Sequence, residues 1–99
     1  MPKVLLQISY DIDPEKREQY LALVKEMKNH FCVARKKDYS VFEQKGKKNS
    51  FVEQFTSNSI QEFDALEDDL DEKSEELVNQ LEGLKKDGTS KYTTLTEFE

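Results

Sequence analysis

Apolar residues recur at every second position in Val4-Leu5-Leu6-Gln7-Ile8-Ser9-Tyr10, with Val4, Leu6, Ile8 and Tyr10 on one side. Leu5, Gln7 and Ser9 take the other side, and this alternation predicts a strand. Asp11-Ile12-Asp13-Pro14 ends it. Asp13 is a good helix N-cap, and Pro14 suits the first helical position, where its missing N–H costs nothing. The period then lengthens: Tyr20, Leu23, Val24, Met27 and Phe31 share one side, while Lys25, Glu26 and Lys28 face away. That spacing predicts an amphipathic helix running to about Asn29 or Phe31. Cys32 to Asp38 is a basic connector.

Tyr39 to Lys45 predicts a second strand, and Ser50 to Ser57 a third. Gly46-Lys47-Lys48-Asn49 between them reads as a four-residue hairpin loop, with Gly and Asn available for left-handed backbone. A loop symmetric about Lys47 and Lys48 sets residue 43 opposite 52 and residue 41 opposite 54. One face of the hairpin then carries Tyr39, Val41, Glu43, Val52 and Gln54. The other carries Ser40, Phe42, Gln44, Phe51, Glu53 and Phe55. Neither face is wholly polar, so a sheet covered by its own helices on one side needs a second cover on the Phe-rich side.

Ser59-Ile60-Gln61-Glu62 has the spacing of a capping box and opens a helix with Ile60, Phe63, Leu66 and Leu70 on one side. Asp71 to Glu76 lacks apolar anchors and marks a break. Leu77, Val78, Leu81 and Leu84 resume the helical period, with Lys85 and Lys86 at its C-terminus and Gly88 as the left-handed stop. Tyr92 to Glu99 predicts a last strand, rich in Thr and aromatics. The order β-α-β-β-α(α)-β is that of a ferredoxin-like α+β domain spanning residues 1–99, a four-stranded antiparallel sheet with helices on one face. Two such sheets packed face to face in a homodimer would close the Phe42/Phe51/Phe55 side.

Composition supports an assembly. Of 99 residues, 35% are hydrophobic and 36% charged, a small apolar share for a chain that must bury a core alone. The net charge of −6 is uneven: residues 1–50 carry eleven Lys/Arg against seven Asp/Glu, and residues 51–99 four against fourteen. The acidic stretch from Glu62 to Glu76 reads as a solvated helix face, or as one half of a charge match across a subunit boundary. Net acidity argues against nucleic acid, which needs a basic surface. No apolar run approaches the roughly 18 residues of a membrane-spanning helix, and Gln7 interrupts any leader-like stretch. A single Cys32 excludes an internal disulfide and suits a reducing compartment, so a cytoplasmic location is expected.

Phe51-Val52-Glu53-Gln54-Phe55-Thr56-Ser57 together with Phe63-Asp64-Ala65-Leu66 resembles the antibiotic-biosynthesis-monooxygenase-like branch of the dimeric α/β-barrel superfamily. The likeness is to a third-strand signature of apolar, Glu, any, aromatic. A helix of the type aromatic or Leu, acidic, Ala, His follows it. The resemblance implies a face-to-face dimer and a barrel interior able to take a small apolar or aromatic molecule. Members of the branch include cofactor-independent monooxygenases of quinol-type aromatics, haem-degrading proteins and many of unassigned role. Glu53 matches the family's acidic position. Phe55 stands where the family often has Trp, and Leu66 where it often has His. Nothing further along the second helical region could ligate iron, which speaks against haem, and no cofactor is expected.

Glu53 is the one catalytic candidate. Between Phe51 and Phe55 it would be desolvated, and its raised pKa would let it accept a proton near neutral pH. The alternative is a structural Glu bonded to a cross-strand neighbour. Phe42, Gln44, Phe51, Glu53 and Phe55 are the candidate lining of a barrel-facing cavity. His30 suits a helix C-terminus, and with Cys32 two residues on it makes no metal ligand set. Cys32 lacks a base beside it. RNA-recognition modules share this topology, but Leu5-Leu6-Gln7 offers no stacking aromatic and the charge is wrong. The sequence supports a small dimeric α/β-barrel protein of unassigned role that binds a small apolar or aromatic molecule. The alternative is a cofactor-independent monooxygenase-like enzyme acting on an aromatic substrate.

Overall fold

The computed structural model describes residues 2–68 and 71–98. Four strands, β1 (Val4–Asp11), β2 (Asp38–Glu43), β3 (Ser50–Ser57) and β4 (Lys91–Thr96), form one antiparallel sheet in the order β2-β3-β1-β4. Three helices, α1 (Arg17–Lys28), α2 (Ile60–Asp68) and α3 (Glu72–Glu82), complete the order β-α-β-β-α-α-β. This is the ferredoxin-like α+β arrangement. Tyr10, Tyr39 and Phe51 from the sheet bury against Tyr20, Leu23, Met27 and Phe31, and against Leu77 and Leu81 of α3.

The helix boundaries follow the local chemistry. Asp13 accepts a hydrogen bond from the Glu15 N–H at 3.0 Å, and a 3-10 turn over Pro14–Lys16 leads into α1. Where one continuous helix was expected to about Phe31, the α-helix stops at Lys28 and a π-helical segment, Asn29–Ala34, takes over. The Arg35 N–H closes this wider turn on the His30 carbonyl at 2.9 Å. Ser59 Oγ accepts from the Glu62 N–H while the Glu62 carboxylate accepts from the Asn58 N–H, a reciprocal cap on α2. The acidic stretch expected to interrupt the helix does so only at its start. Asp71 caps α3 by accepting from the Ser74 N–H at 2.9 Å, and Glu72 and Glu75 occupy the first turn, where the macrodipole favours acids. Leu70, placed on the apolar side of the preceding helix, lies outside the described residues.

Beyond α3 the chain departs from expectation. The helix ends at Glu82, and Lys85 and Lys86 are not its last turn. The Asp13 N–H donates to the Leu84 carbonyl at 3.1 Å and the Lys86 N–H to the Asp11 carbonyl at 2.9 Å. These bonds draw residues 84–86 alongside the end of β1, and Gly88, at φ +72, lies in the loop that follows.

The hairpin register is also shifted by one residue. Glu43 pairs with Phe51, Val41 with Glu53 and Tyr39 with Phe55. The Gln44 N–H donates to the Ser50 carbonyl at 2.8 Å, so the connection holds five residues, Lys45 to Asn49, rather than four. Gly46 at φ +85 and Asn49 at φ +69 supply its left-handed positions. Arg17 clamps the turn through a bidentate pair to Glu43, at 2.6 and 3.1 Å, and a 2.8 Å bond to Asn49 Oδ1. The Asn49 N–H also donates to Glu43. A one-residue slip exchanges the faces of a strand. Phe51, Glu53 and Phe55 therefore face the helices with Tyr39 and Val41, and Phe42 lies on the opposite side, 52% exposed.

Bonds from Arg17 and the Asn49 N–H hold the Glu43 carboxyl at about 2, below the ordinary value of 4.5. A depressed folded pKa contributes stability above the unfolded pKa, lost as pH falls toward the folded one. Glu43→Gln should therefore lower the melting temperature modestly at pH 7 and by clearly less at pH 2, where about half of the folded carboxyls are protonated. An equal shift at both would mean that the clamp works without charge.

On the face turned away from the helices, Phe42 and Leu95 are exposed and Leu5 and Val52 half-buried. Gln7 Nε2 donates to Gln54 Oε1 at 3.0 Å across its centre. The expected Phe42/Phe51/Phe55 face is therefore not formed: of the three only Phe42 is on the open side, where it shares a mixed surface with Leu5, Val52 and Leu95 around Gln7 and Gln54.

Candidate functional site

A cavity of about 230 Å³ lies between the helix-facing side of the sheet and the helices. Leu6, Ile8, Glu53, Phe55 and Tyr92 form its floor. Phe31, Leu66, Val78 and Leu81 close it from above, with Arg35, Lys37, Glu82 and Lys85 at its margins. The volume falls just below the roughly 300 Å³ at which drug-sized ligands begin to fit, so the space suits a one- or two-ring molecule. Phe31 reaches it because the π-turn sets its ring against Tyr39 and Phe55, with centroids 4.9 and 5.3 Å away.

Glu53 is 5% exposed at the centre of this floor. The Tyr39 hydroxyl donates to its Oε1 at 2.6 Å, and Tyr10 supplies a second phenol bond. Tyr10 in turn shares a 2.8 Å bond with the Tyr20 hydroxyl. Burial raises the Glu53 pKa, opposed by the two phenol bonds and by the nearby charge of Lys85. The same burial pushes all three tyrosines well above the usual phenol value, so they stay neutral donors.

Lys85 was read from the sequence only as a helix-terminal charge. Pinned beside β1 by its neighbours' backbone bonds, its side chain is 2% exposed. Its ammonium donates to Glu82 Oε1 at 2.8 Å and to Ser90 Oγ, and sits 5.2 Å from the centre of the Tyr10 ring. A hint was available: Lys85 continues the Leu77–Leu81 stripe by four residues. Arg35 pairs with Asp71 at 3.2 Å and with Ser74 Oγ at 3.3 Å, contacts between distant segments that no local pattern foretells.

The other sequence candidates scatter. Phe55 joins Glu53 on the cavity wall, whereas Phe51 is buried against Tyr20, 4.4 Å between ring centroids. Gln44 lies with Lys47 and Ser50 in a separate, polar groove, and Phe42 is on the far side of the sheet. His30 Nε2 lies 3.2 Å from Asp71 Oδ1 and 3.1 Å from Ser74 Oγ. One ring nitrogen meets both partners and Ser74 is wholly buried, so this trio is no nucleophile-base-acid relay, which needs both ring nitrogens. The Cys32 thiol donates to the Tyr39 carbonyl. Among the described residues, no group of three His, Cys, Asp or Glu could hold a metal ion, and no helix is long and apolar enough to cross a membrane.

The antiparallel β2-β3-β1-β4 sheet with its helices on one side is the fold of antibiotic-biosynthesis-monooxygenase-like structures. A structure described as an antibiotic biosynthesis monooxygenase has a TM-score of 0.70 at 19% identity, covering 100% of this chain and 98% of that one. A conserved protein from Methanosarcina mazei Go1 has a TM-score of 0.83 at 12% identity, over 99% of this chain and 95% of that one. A point mutant of SnoaB, a cofactor-independent oxygenase from Streptomyces nogalater, has a TM-score of 0.74 at 13% identity over 98% and 94%. At these identities the similarity is one of fold. No protein-family model and no curated protein sequence matches the chain.

Proposed function

We propose that this chain forms a homodimeric α/β-barrel protein that binds a small apolar or aromatic molecule in the cavity between its sheet and helices. The observation that carries this reading is the cavity itself, about 230 Å³ walled by Phe31, Phe55, Leu81 and their neighbours around one buried carboxyl. Apolar walls supply affinity, and Glu53 with its phenol donors fixes orientation. The second copy would cover the open face of Leu5, Phe42, Val52 and Leu95, which the chain's own helices leave bare. The free thiol of Cys32 suits a reducing compartment such as the cytoplasm.

Val78 lies on α3 at the cavity wall and is 40% exposed, so a larger side chain there can narrow the space without filling the core. Titration calorimetry with 2-naphthamide, a neutral two-ring probe, should show one saturable site per chain. Val78→Trp should weaken binding about tenfold or more, equivalent to about 1.4 kcal/mol. Unchanged binding in the variant would place the ligand elsewhere.

A further inference from the structure

Two carboxyls line the cavity, and they are placed differently. Glu82 lies at its margin, with a side chain 47% exposed and bonded to Lys85 at 2.8 Å. Glu53 lies on the floor among Leu6, Ile8 and Phe55, 5% exposed. A carboxylate accepts at about four lone-pair positions. The phenols of Tyr39 and Tyr10 take two of them on Glu53. The Tyr39 ring is itself wedged against Phe31 and Phe55, with centroids 4.9 and 4.7 Å away. Its bond therefore holds the carboxyl in one orientation, with acceptor positions to spare beside an apolar space. Burial raises the Glu53 pKa despite both phenol bonds, so the ionised carboxylate takes up a proton readily.

We infer that Glu53 is a general base, and that the cavity takes an uncharged one- or two-ring substrate whose C–H bond is acidified by a neighbouring electron-withdrawing group. This activity rests on the cavity reading above and adds a proton transfer to it. Walls of Leu6, Ile8, Phe31, Phe55 and Leu81 favour an uncharged body. The substrate C–H bond breaks and an O–H bond forms on Glu53. The C–H electron pair passes into the withdrawing group or expels a leaving group, so the step is redox-neutral. Tyr39 is a positioning residue: its 2.6 Å bond orients the carboxyl and favours the charged form that does the work.

An uncharged two-ring carbon acid, 5-nitrobenzisoxazole, tests it. Loss of its ring C–H proton turns the C–H electron pair into a nitrile π bond and breaks the ring N–O bond, releasing a coloured cyanonitrophenolate. The full chain should release it with saturation kinetics, and 2-naphthamide should compete. The rate should rise with pH through an inflection above 4.5, the ordinary Glu value, because only ionised Glu53 accepts the proton. Glu53→Gln should lower kcat/KM about a hundredfold or more. Tyr39→Phe should move the inflection further up, and an inflection that stays put overturns the positioning role of Tyr39. A flat or falling pH profile in the native chain overturns the assignment of Glu53 without any variant. So does a rate that survives Glu53→Gln or that 2-naphthamide does not slow. Binding of 2-naphthamide with no turnover of 5-nitrobenzisoxazole overturns the activity and leaves the cavity reading standing. If neither probe engages the chain, both fall.

Discussion

At micromolar concentration, light scattering on the native chain should return twice the 11.6 kDa chain mass, and Phe42→Asp should return 11.6 kDa with an unchanged helical spectrum. Burial is the reason. Phe42 and Leu95 project from the face that no helix covers, flanked by Leu5 and Val52, which are only partly shielded. These are two apolar pairs, Phe42 with Val52 and Leu5 with Leu95, and exposed apolar side chains grouped on one face mark a surface for a partner. Its centre is the Gln7–Gln54 pair, bonded within the chain, so joining two copies leaves that pair satisfied. An aspartate at position 42 of each copy would bring like, desolvated charges into the seam, and juxtaposed like charges cost several kcal/mol. Phe42 is not in the subunit core, so the fold should survive. A native chain that scatters as a monomer would remove the homodimer.

Glu53→Gln should flatten the dependence of stability on pH and raise the melting temperature on the alkaline side. The folded pKa of Glu53 is raised by burial, which outweighs the opposing effects of Tyr39, Tyr10 and the charge of Lys85, with Glu82 adding a small push upward. A raised carboxyl pKa means that the folded state holds its proton longer than the unfolded state does. Stability from this group is complete below the unfolded pKa of about 4.3 and declines as pH climbs through the folded value. Glutamine keeps the shape and cannot ionise, so the decline should vanish. Tyr39→Phe acts in the opposite sense, removing the 2.6 Å donor from a buried carboxyl at a cost of about 1–3 kcal/mol, most of it once the carboxyl is charged. Thermal unfolding from pH 4 to 9 reads both. A native curve with no alkaline decline relative to Glu53→Gln would show Glu53 ionising freely in place.

Strands and helices were legible because the period of the apolar residues is local: Val4 to Tyr10 at two, Tyr20 to Met27 at helical spacing. The caps at Asp13 and Ser59 were legible for the same reason. Glu53 was visible as a carboxyl flanked by phenylalanines, and the structure seats it under the helices. The face of Phe42 was not legible. It depends on whether the hairpin loop holds four residues or five, and that parity is held by Asn49 in a left-handed conformation and by Arg17, more than twenty residues upstream of Glu43. The cavity charges were hidden for a similar reason. Lys85 is buried only because residues 84–86 run beside residues 11–13, a pairing that no window of sequence contains.

The cavity lies between one subunit's own sheet and helices, not in the seam where two sheets would meet. A dimer joined through the open face would therefore be a pair of back-to-back chambers, each opening outward. Two β layers about 10 Å apart would stand between them. Neither occupant could touch the other, and each half of the assembly would carry a complete pocket of its own.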